Sequence, residues 1–283
     1  MDWKWEQEIS KEIFEMKYML NGENSIEEVF ELISEEISSV EKKQNREKYK
    51  KQFYDVMIKG YFCPAGRILA NARPNGKMKN YNNCFVIEIE DSMESITTAV
   101  KEYMMILKQG GGVGFNISKL RPKGASISKG GESSGVMSFL EIFNTASETI
   151  KVGGGRRGAS ICILNVDHPD IEEFITYKQG DKNGKLKNFN ISVGITDAFM
   201  KCYEEDKDWD LTFNGKIYKT IKAKYLYELL TKNAMEYAEP GTLFLDTVNK
   251  YNNLYNEFSV SATNPCFTGE TIVAVADGRN GVT

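Results

Sequence analysis

A helical N-terminal region followed by an α/β fold is the architecture this chain predicts, and three observations predict it. Residues 1–60 place apolar side chains at helical spacing. From Tyr61 onward, short apolar runs alternate with helical patterns. Two glycine-rich segments, 110–116 and 153–159, punctuate those patterns where helices must stop. Repeated alternation of strand and helix favours an α/β layer or barrel.

In chain order, Ile26, Val29, Phe30 and Ile33 stand at i, i+3, i+4 and i+7 and predict a helix. The mixed-charge run 41–48 reads as a solvated helix face or connector. Cys84-Phe85-Val86-Ile87-Glu88-Ile89 predicts a strand. Asp91-Ser92-Met93-Glu94 then opens a helix, with Asp91 or Ser92 as cap and Glu94 near the positive end of the dipole. That helix runs through Tyr103, Met104 and Leu107 until Gly110-Gly111-Gly112 ends it. A second helix, 136–151, carries Phe139, Ile142, Phe143 and Ala146 on one stripe and stops at Gly153-Gly154-Gly155.

Composition narrows the class. The 283 residues suffice for one large domain or two ordinary ones, and 41% apolar with 27% charged residues is globular usage. A net charge of −4 argues against broad nucleic-acid binding, and no apolar run is long enough to span a membrane. The cysteines, Cys63, Cys84, Cys162, Cys202 and Cys266, form no CxxC pair, so no structural metal site is expected. Their wide spacing, in a chain whose start does not read as a signal peptide, predicts the reducing cytoplasm, where a disulfide is transient and catalytic.

Glycine at 110–112, 114 and 153–155 lets a ligand approach main-chain N–H groups, and Arg156-Arg157 suits an anion or a base. Neither segment fits a P-loop or a dinucleotide fingerprint. Their order with other motifs is more telling. Asn83-Cys84-Phe85-Val86, Asp91-Ser92-Met93-Glu94, Gly110 to Phe115 and Leu120-Arg121-Pro122-Lys123-Gly124 come first. Gly153 to Ala159, Asp167-His168-Pro169-Asp170-Ile171, Asn188 to Val193, Glu239-Pro240-Gly241 and Thr263-Asn264-Pro265-Cys266 follow. This series resembles the catalytic chain of ribonucleotide reductases, most closely the class II, adenosylcobalamin-dependent branch, over about Gly60 to Cys266. A class I large subunit, fed by a radical-bearing partner, is the alternative within the family.

The resemblance implies the first half of a ten-stranded α/β barrel over 61–265, after a helical region at 1–60. It implies that Cys84 donates reducing equivalents and ends in a disulfide, that Cys266 is the radical cysteine, and that Asn264 bonds the ribose hydroxyls. Asn83, Gly112 and Arg156 fall to the substrate, and Asp91, Ser92, Arg121, Lys129 and Lys151 to a deoxynucleoside triphosphate effector. Residues 126–135 and 151–159 resemble the two specificity loops, and the helices at 92–108 and 136–151 a homodimer interface. Implied partners are a ribonucleotide, that effector, a dithiol reductant and the C-terminal part of the same enzyme. Thr268 stands where the family has its glutamate base, and Val152 where it has a polar residue. No activity-site cone is expected at the N-terminus, and residues 1–283 alone are expected to lack reductase activity. His168, a lone histidine, is assigned a structural capping role.

At Cys266 the texture changes. Cys266-Phe267-Thr268-Gly269-Glu270-Thr271-Ile272-Val273 resembles the first block of an intein, in which a cysteine thiol attacks the preceding carbonyl. In that case 266–283 is an intein start, and Cys266 only holds the place of the radical cysteine. A two-residue insertion into Cys-Gly-Glu is the other reading. Two further readings compete with an enzyme: a fragment that only binds effector and dimerises, and a splicing precursor.

Overall fold

The computed structural model describes residues 5–20, 22–74, 76, 80–128, 130–150, 160–179, 186 and 189–264, with the backbone alone at 272–274 and 280–282. The chain divides into two compact units, with the break between Asn83 and Cys84.

The first unit is helical: α1 (Glu8–Lys17), α2 (Ile26–Ser38), a 3₁₀ turn (Lys43–Asn45), α3 (Arg46–Ile58) and α4 (Gly66–Asn71). Ser25 caps α2 by accepting the Glu28 amide. Phe14, Val29, Phe30, Ile33, Met57 and Leu69 form its core. Leu69 of α4 and Ala72 just after it also belong to this core. Arg73 pairs with Glu23 at 2.5 Å, both almost wholly buried. Arg73 also donates to the Leu69, Ala72 and Tyr18 carbonyls.

The second unit begins with β1 (Cys84–Ile87), α5 (Met93–Lys108), β2 (Gly112–Asn116), α6 (Val136–Thr149) and β3 (Ser160–Asn165). It continues with α7 (Ile171–Thr176), β4 (Phe189–Ile195), α8 (Asp197–Glu204), β5 (Asp208–Phe213), β6 (Lys216–Lys222), α9 (Ala223–Tyr237), β7 (Gly241–Phe244) and α10 (Leu245–Lys250). The strands β8 (Ile272–Ala274) and β9 (Asn280–Val282) pair antiparallel. The main sheet has five strands, all parallel, in the order β1-β2-β3-β4-β7, so each strand neighbours the next one added to it. Antiparallel β5 and β6 form a separate hairpin.

Side-chain alternation gives the sheet two unlike faces. Val113, Phe115, Cys162, Leu164, Phe189, Ile191, Val193 and Ile195 point to the helices and build the core with Tyr103, Leu140, Phe143, Phe174 and Phe199. Tyr103 Oη meets Ser160 Oγ at 2.8 Å there, and burial pushes the Tyr103 pKa up to about 12. The other face is described below.

The strand predicted at 84–89 ends at Ile87, and the helices predicted at 92–108 and 136–151 run Met93–Lys108 and Val136–Thr149. Ser92 is the cap of α5, accepting the Ser95 amide at 3.1 Å. The segment 110–116, read as a loop, is corrected in its second half: Gly112–Asn116 is β2, because Val113 and Phe115 alternate into the core.

Candidate active site

The second face of the sheet mixes small and polar residues with an apolar patch at Ile161 and Ile163. Register sets Cys84 beside Gly112 and Val86 beside Gly114, then Gly114 beside Ile161 and Ile161 beside Asn190. Alternation therefore assigns Cys84, Gly112, Gly114, Asn116, Asn190 and Ser192 to this face. Across it lies residues 259–264. Asn249 starts the crossing: its Nδ2 donates to Val260 O at 2.9 Å and its Oδ1 accepts Val260 N at 2.7 Å. Asn116 Nδ2 then donates to Ser261 O at 2.8 Å and to Asn165 Oδ1 at 3.0 Å. Ala262 packs on Ile161 and Ile163. Farther along, a Cβ on Gly114 would stand 2.1 Å from Thr263 O, so only glycine admits the segment here.

These contacts fix a direction. Two residues forward, from Ser261 to Thr263, are two residues back along β2, from Asn116 to Gly114. The segment thus runs antiparallel to the strands, toward the end of the sheet that Cys84 opens. Cys84 is exposed and takes part in no disulfide, as do Cys63, Cys162 and Cys202. Cys162 is different in kind, since burial pushes its thiol well above the ordinary range.

Beside Asn264 a cleft of about 720 Å³ is lined by Ile161, Asn190, Ser192, Glu239, Thr242 and Asn264. Asn264 Nδ2 is buried without a hydrogen-bond partner among the described residues. A buried amide donor left unspent is costly, and a ligand acceptor would satisfy it. Glu239 is neutralised by Lys178, whose ammonium also reaches Phe189 O. The cleft therefore offers hydroxyl and amide groups and a paired carboxylate rather than open charge, which suits a neutral, hydroxyl-rich part of a ligand.

A second cluster lies at the opposite ends of the strands. Asp91 accepts Arg121 Nε at 3.1 and 2.9 Å, one bond to each carboxylate oxygen, and Arg121 Nη1 donates to Ser126 O at 3.1 Å. Both expected effector residues are thus held by each other. A cavity of about 480 Å³ nearby is lined by Glu90, Asp91, Lys119, Asp167, His168 and Phe213, among others. Lys119 pairs with Glu90.

Of the sequence-predicted residues, the structure brings Cys84 and Gly112 side by side and points the segment bearing Asn264 toward their end of the sheet. Asn83 is half-buried just before β1. Asp91, Ser92 and Arg121 gather apart from these, at the start of α5. Arg156, Lys129, Lys151, Cys266, Val152 and Thr268 lie outside the described residues. Asn116, Asn190 and Ser192 carry no site role in the sequence reading; the signal that could have found them is the period-2 alternation in Gly-Val-Gly-Phe-Asn and Asn-Ile-Ser-Val-Gly. His168 is buried and donates from Nε2 to Leu120 O at 2.9 Å, the structural part expected of it. No group of three or more His, Cys, Asp or Glu side chains among the described residues is placed to hold a metal ion. No described helix is long and apolar enough to cross a membrane.

Comparison with known families gives two matches. Residues 4–77 match the ribonucleotide reductase all-alpha domain, and residues 82–272 match the ribonucleotide reductase barrel domain. A vitamin B12-dependent ribonucleoside-diphosphate reductase of Thermoplasma acidophilum is 42% identical over 77% of this chain and 28% of its own length. A protein of the same name from Mycobacterium tuberculosis is 40% identical over 65% of this chain and 27% of its own. A vitamin B12-dependent ribonucleotide reductase of Streptomyces avermitilis is 35% identical over 65% of this chain and 22% of its own. The chain thus spans about a quarter of the length of the relatives it matches.

Proposed function

The chain belongs to the ribonucleotide reductase large-chain family, and we propose that it serves cobalamin-dependent reduction of ribonucleoside diphosphates to deoxyribonucleotides. In that reaction the ribose 2′-hydroxyl leaves as water and hydrogen takes its place. The two electrons come from a pair of thiols that becomes a disulfide, and Cys84 supplies one of them. Asn264 Nδ2 donates to a ribose hydroxyl in the cleft beside Ser192 and Thr242. Asn83, Gly112 and Arg156 complete the substrate side, and Cys266 holds the place of the radical cysteine. The observation that carries this reading is the crossing of residues 259–264 over Gly114 toward the strand end that presents Cys84. A thiol at a strand end is both reachable and rigidly aimed, as thiol–disulfide exchange requires.

Adenosylcobalamin, named by the relatives' dependence on vitamin B12, is the proposed radical source. The described residues do not themselves form a cradle for it: the face between Cys84 and Asn190 is crossed by residues 259–264, and the cleft beside them is lined for a smaller, hydroxyl-bearing group. On the effector side, Asp91, Ser92, Arg121, Lys129 and Lys151 bind a deoxynucleoside triphosphate, which parts the Asp91–Arg121 pair. A homodimer through α5 and α6, a dithiol reductant, the remaining barrel of the same enzyme and a cytoplasmic setting complete the proposal.

For the tail we infer an intein start at Cys266, supported by the hairpin of β8 and β9 that follows it. Thiol treatment should release a chain ending at Pro265, and a Cys266→Ala variant that is cleaved equally would remove this reading. The reductase reading is tested by deoxyribonucleotide formation from the complete natural reading frame, supplied with adenosylcobalamin and a dithiol. Wild type should turn over repeatedly and Cys84→Ser should not. A Cys84→Ser enzyme with wild-type turnover would end the assignment of that thiol.

A further inference from the structure

Residues 121–135 leave Arg121 and return to the start of α6, and both ends of this loop converge on one buried carboxylate. Asp170 is 8% exposed. It accepts Lys123 N at 3.1 and 3.2 Å through its two oxygens, and Val136 N at 3.1 Å. Val136 is the first residue of α6, whose own cap position is Gly135, a residue without a side chain to offer. Asp170 therefore caps α6 from another element, where a negative charge meets the positive end of the helix dipole. Gly135 has φ 87°, and a Cβ there would stand 2.8 Å from Asp170 Oδ2, so the joint closes only around glycine.

Asp170 is itself held. Its amide donates to His168 Nδ1 at 3.1 Å, while His168 Nε2 donates to Leu120 O at 2.9 Å. These two bonds fix the neutral tautomer, and burial lowers the His168 pKa in the same sense. The corner carrying both residues is anchored by the hairpin: Thr212 N donates to Asp167 O at 2.7 Å and Trp209 Nε1 to Val166 O at 3.2 Å. Within the loop, Ser133 N bonds Ala125 O and Gly124 N bonds Ser133 O, so its two arms move as one ribbon. On its far side Arg121 ties the ribbon to Asp91 and, through Ser126 O, braces the ribbon itself.

The geometry points to His168 and Asp170 as positioning residues that join the corner after β3 to the loop 121–135 and so set which deoxynucleoside triphosphate that loop selects. This rests on the effector reading above and adds the joint that orients the effector loop. His168 and Asp170 act by fixing Leu120, Lys123 and Val136.

The test uses the whole chain and titration with each of the four deoxynucleoside triphosphates, read beside amide hydrogen exchange without nucleotide. In Asp170→Asn, exchange across residues 123–136 should rise on the order of tenfold, as expected for losing charge-assisted bonds. The ratio between the tightest- and weakest-bound triphosphate should shrink on the order of tenfold, within the usual range of coupling between sites. Gly135→Ala, whose Cβ would press on the Asp170 carboxylate while leaving its charge in place, should do the same and covers the case in which Asp170→Asn does not fold. Four affinities that fall by one common factor, or a ratio that is unchanged, would mark a merely structural role and overturn the proposal. Unchanged exchange at 123–136 would overturn the joint itself. A wild-type chain that binds none of the four while the joint loosens as expected would instead overturn the effector reading.

Discussion

The two faces of the parallel sheet are made from the same strands, read at alternate residues, yet they do opposite things. On the helix face Val113, Phe115, Cys162, Leu164, Phe189 and Ile191 are large, apolar and almost wholly buried. On the other face their immediate neighbours are Gly112, Gly114, Asn116, Asn190 and Ser192, with Ile161 and Ile163 of β3 buried only under the crossing segment. One face fills space and the other keeps it. Stability and chemistry are thus separated by a single residue step along each strand, because side chains in a strand alternate. A one-residue slip of register would exchange the two.

That separation can be broken from either side. The largest effect is expected on the helix face: Phe115→Ala removes a ring packed against Tyr103, Phe143 and Phe189 and should cost about 3–5 kcal/mol in chemical denaturation. A cost below about 1 kcal/mol would mean that this face is not the core. Next comes Gly114→Ala, whose Cβ would meet a backbone carbonyl at 2.1 Å. It should cost about 1–3 kcal/mol. Hydrogen exchange should show 259–264 released while β3 stays protected; continued protection of 259–264 would refute the close approach. Asn116→Ala deletes the bonds to Ser261 O and Asn165 Oδ1 and should cost about 1–2 kcal/mol, again with the loss confined to the crossing segment. The smallest perturbation is chemical. Iodoacetamide should label Cys84 in the folded chain and Cys162 only after unfolding, and equal labelling by peptide mass mapping would erase the contrast.

Much of this fold was legible from periodicity. The spacing at Ile26, Val29, Phe30 and Ile33, the cap before Met93 and the glycine stop at Gly110 are local signals, and local structure obeys them. Leu69 and Ala72 belong to the first core by tertiary contact, which no local pattern encodes. Gly112–Asn116 was read as a loop because glycine commonly punctuates; here it is a strand whose missing side chains make room for Thr263. Cys84 and Asn264 stand in short motifs, Asn83-Cys84-Phe85-Val86 and Thr263-Asn264-Pro265-Cys266, that the sequence displays by itself. Asn116, Asn190 and Asp170 could not be placed that way, because their roles depend on which distant backbone groups arrive beside them.

The bond from Asn116 to Ser261 spans 145 residues. The described strands of the sheet pair in chain order, with the β5–β6 hairpin intervening only between β4 and β7. On a ribosome the sheet can therefore grow one strand at a time as the chain emerges, each new strand docking on the last. The crossing segment has no place to dock until β2 and β3 are already laid down. The nascent chain thus lays down its scaffold before the crossing segment arrives, and the exposed Cys84 thiol precedes that segment by the whole length of the sheet.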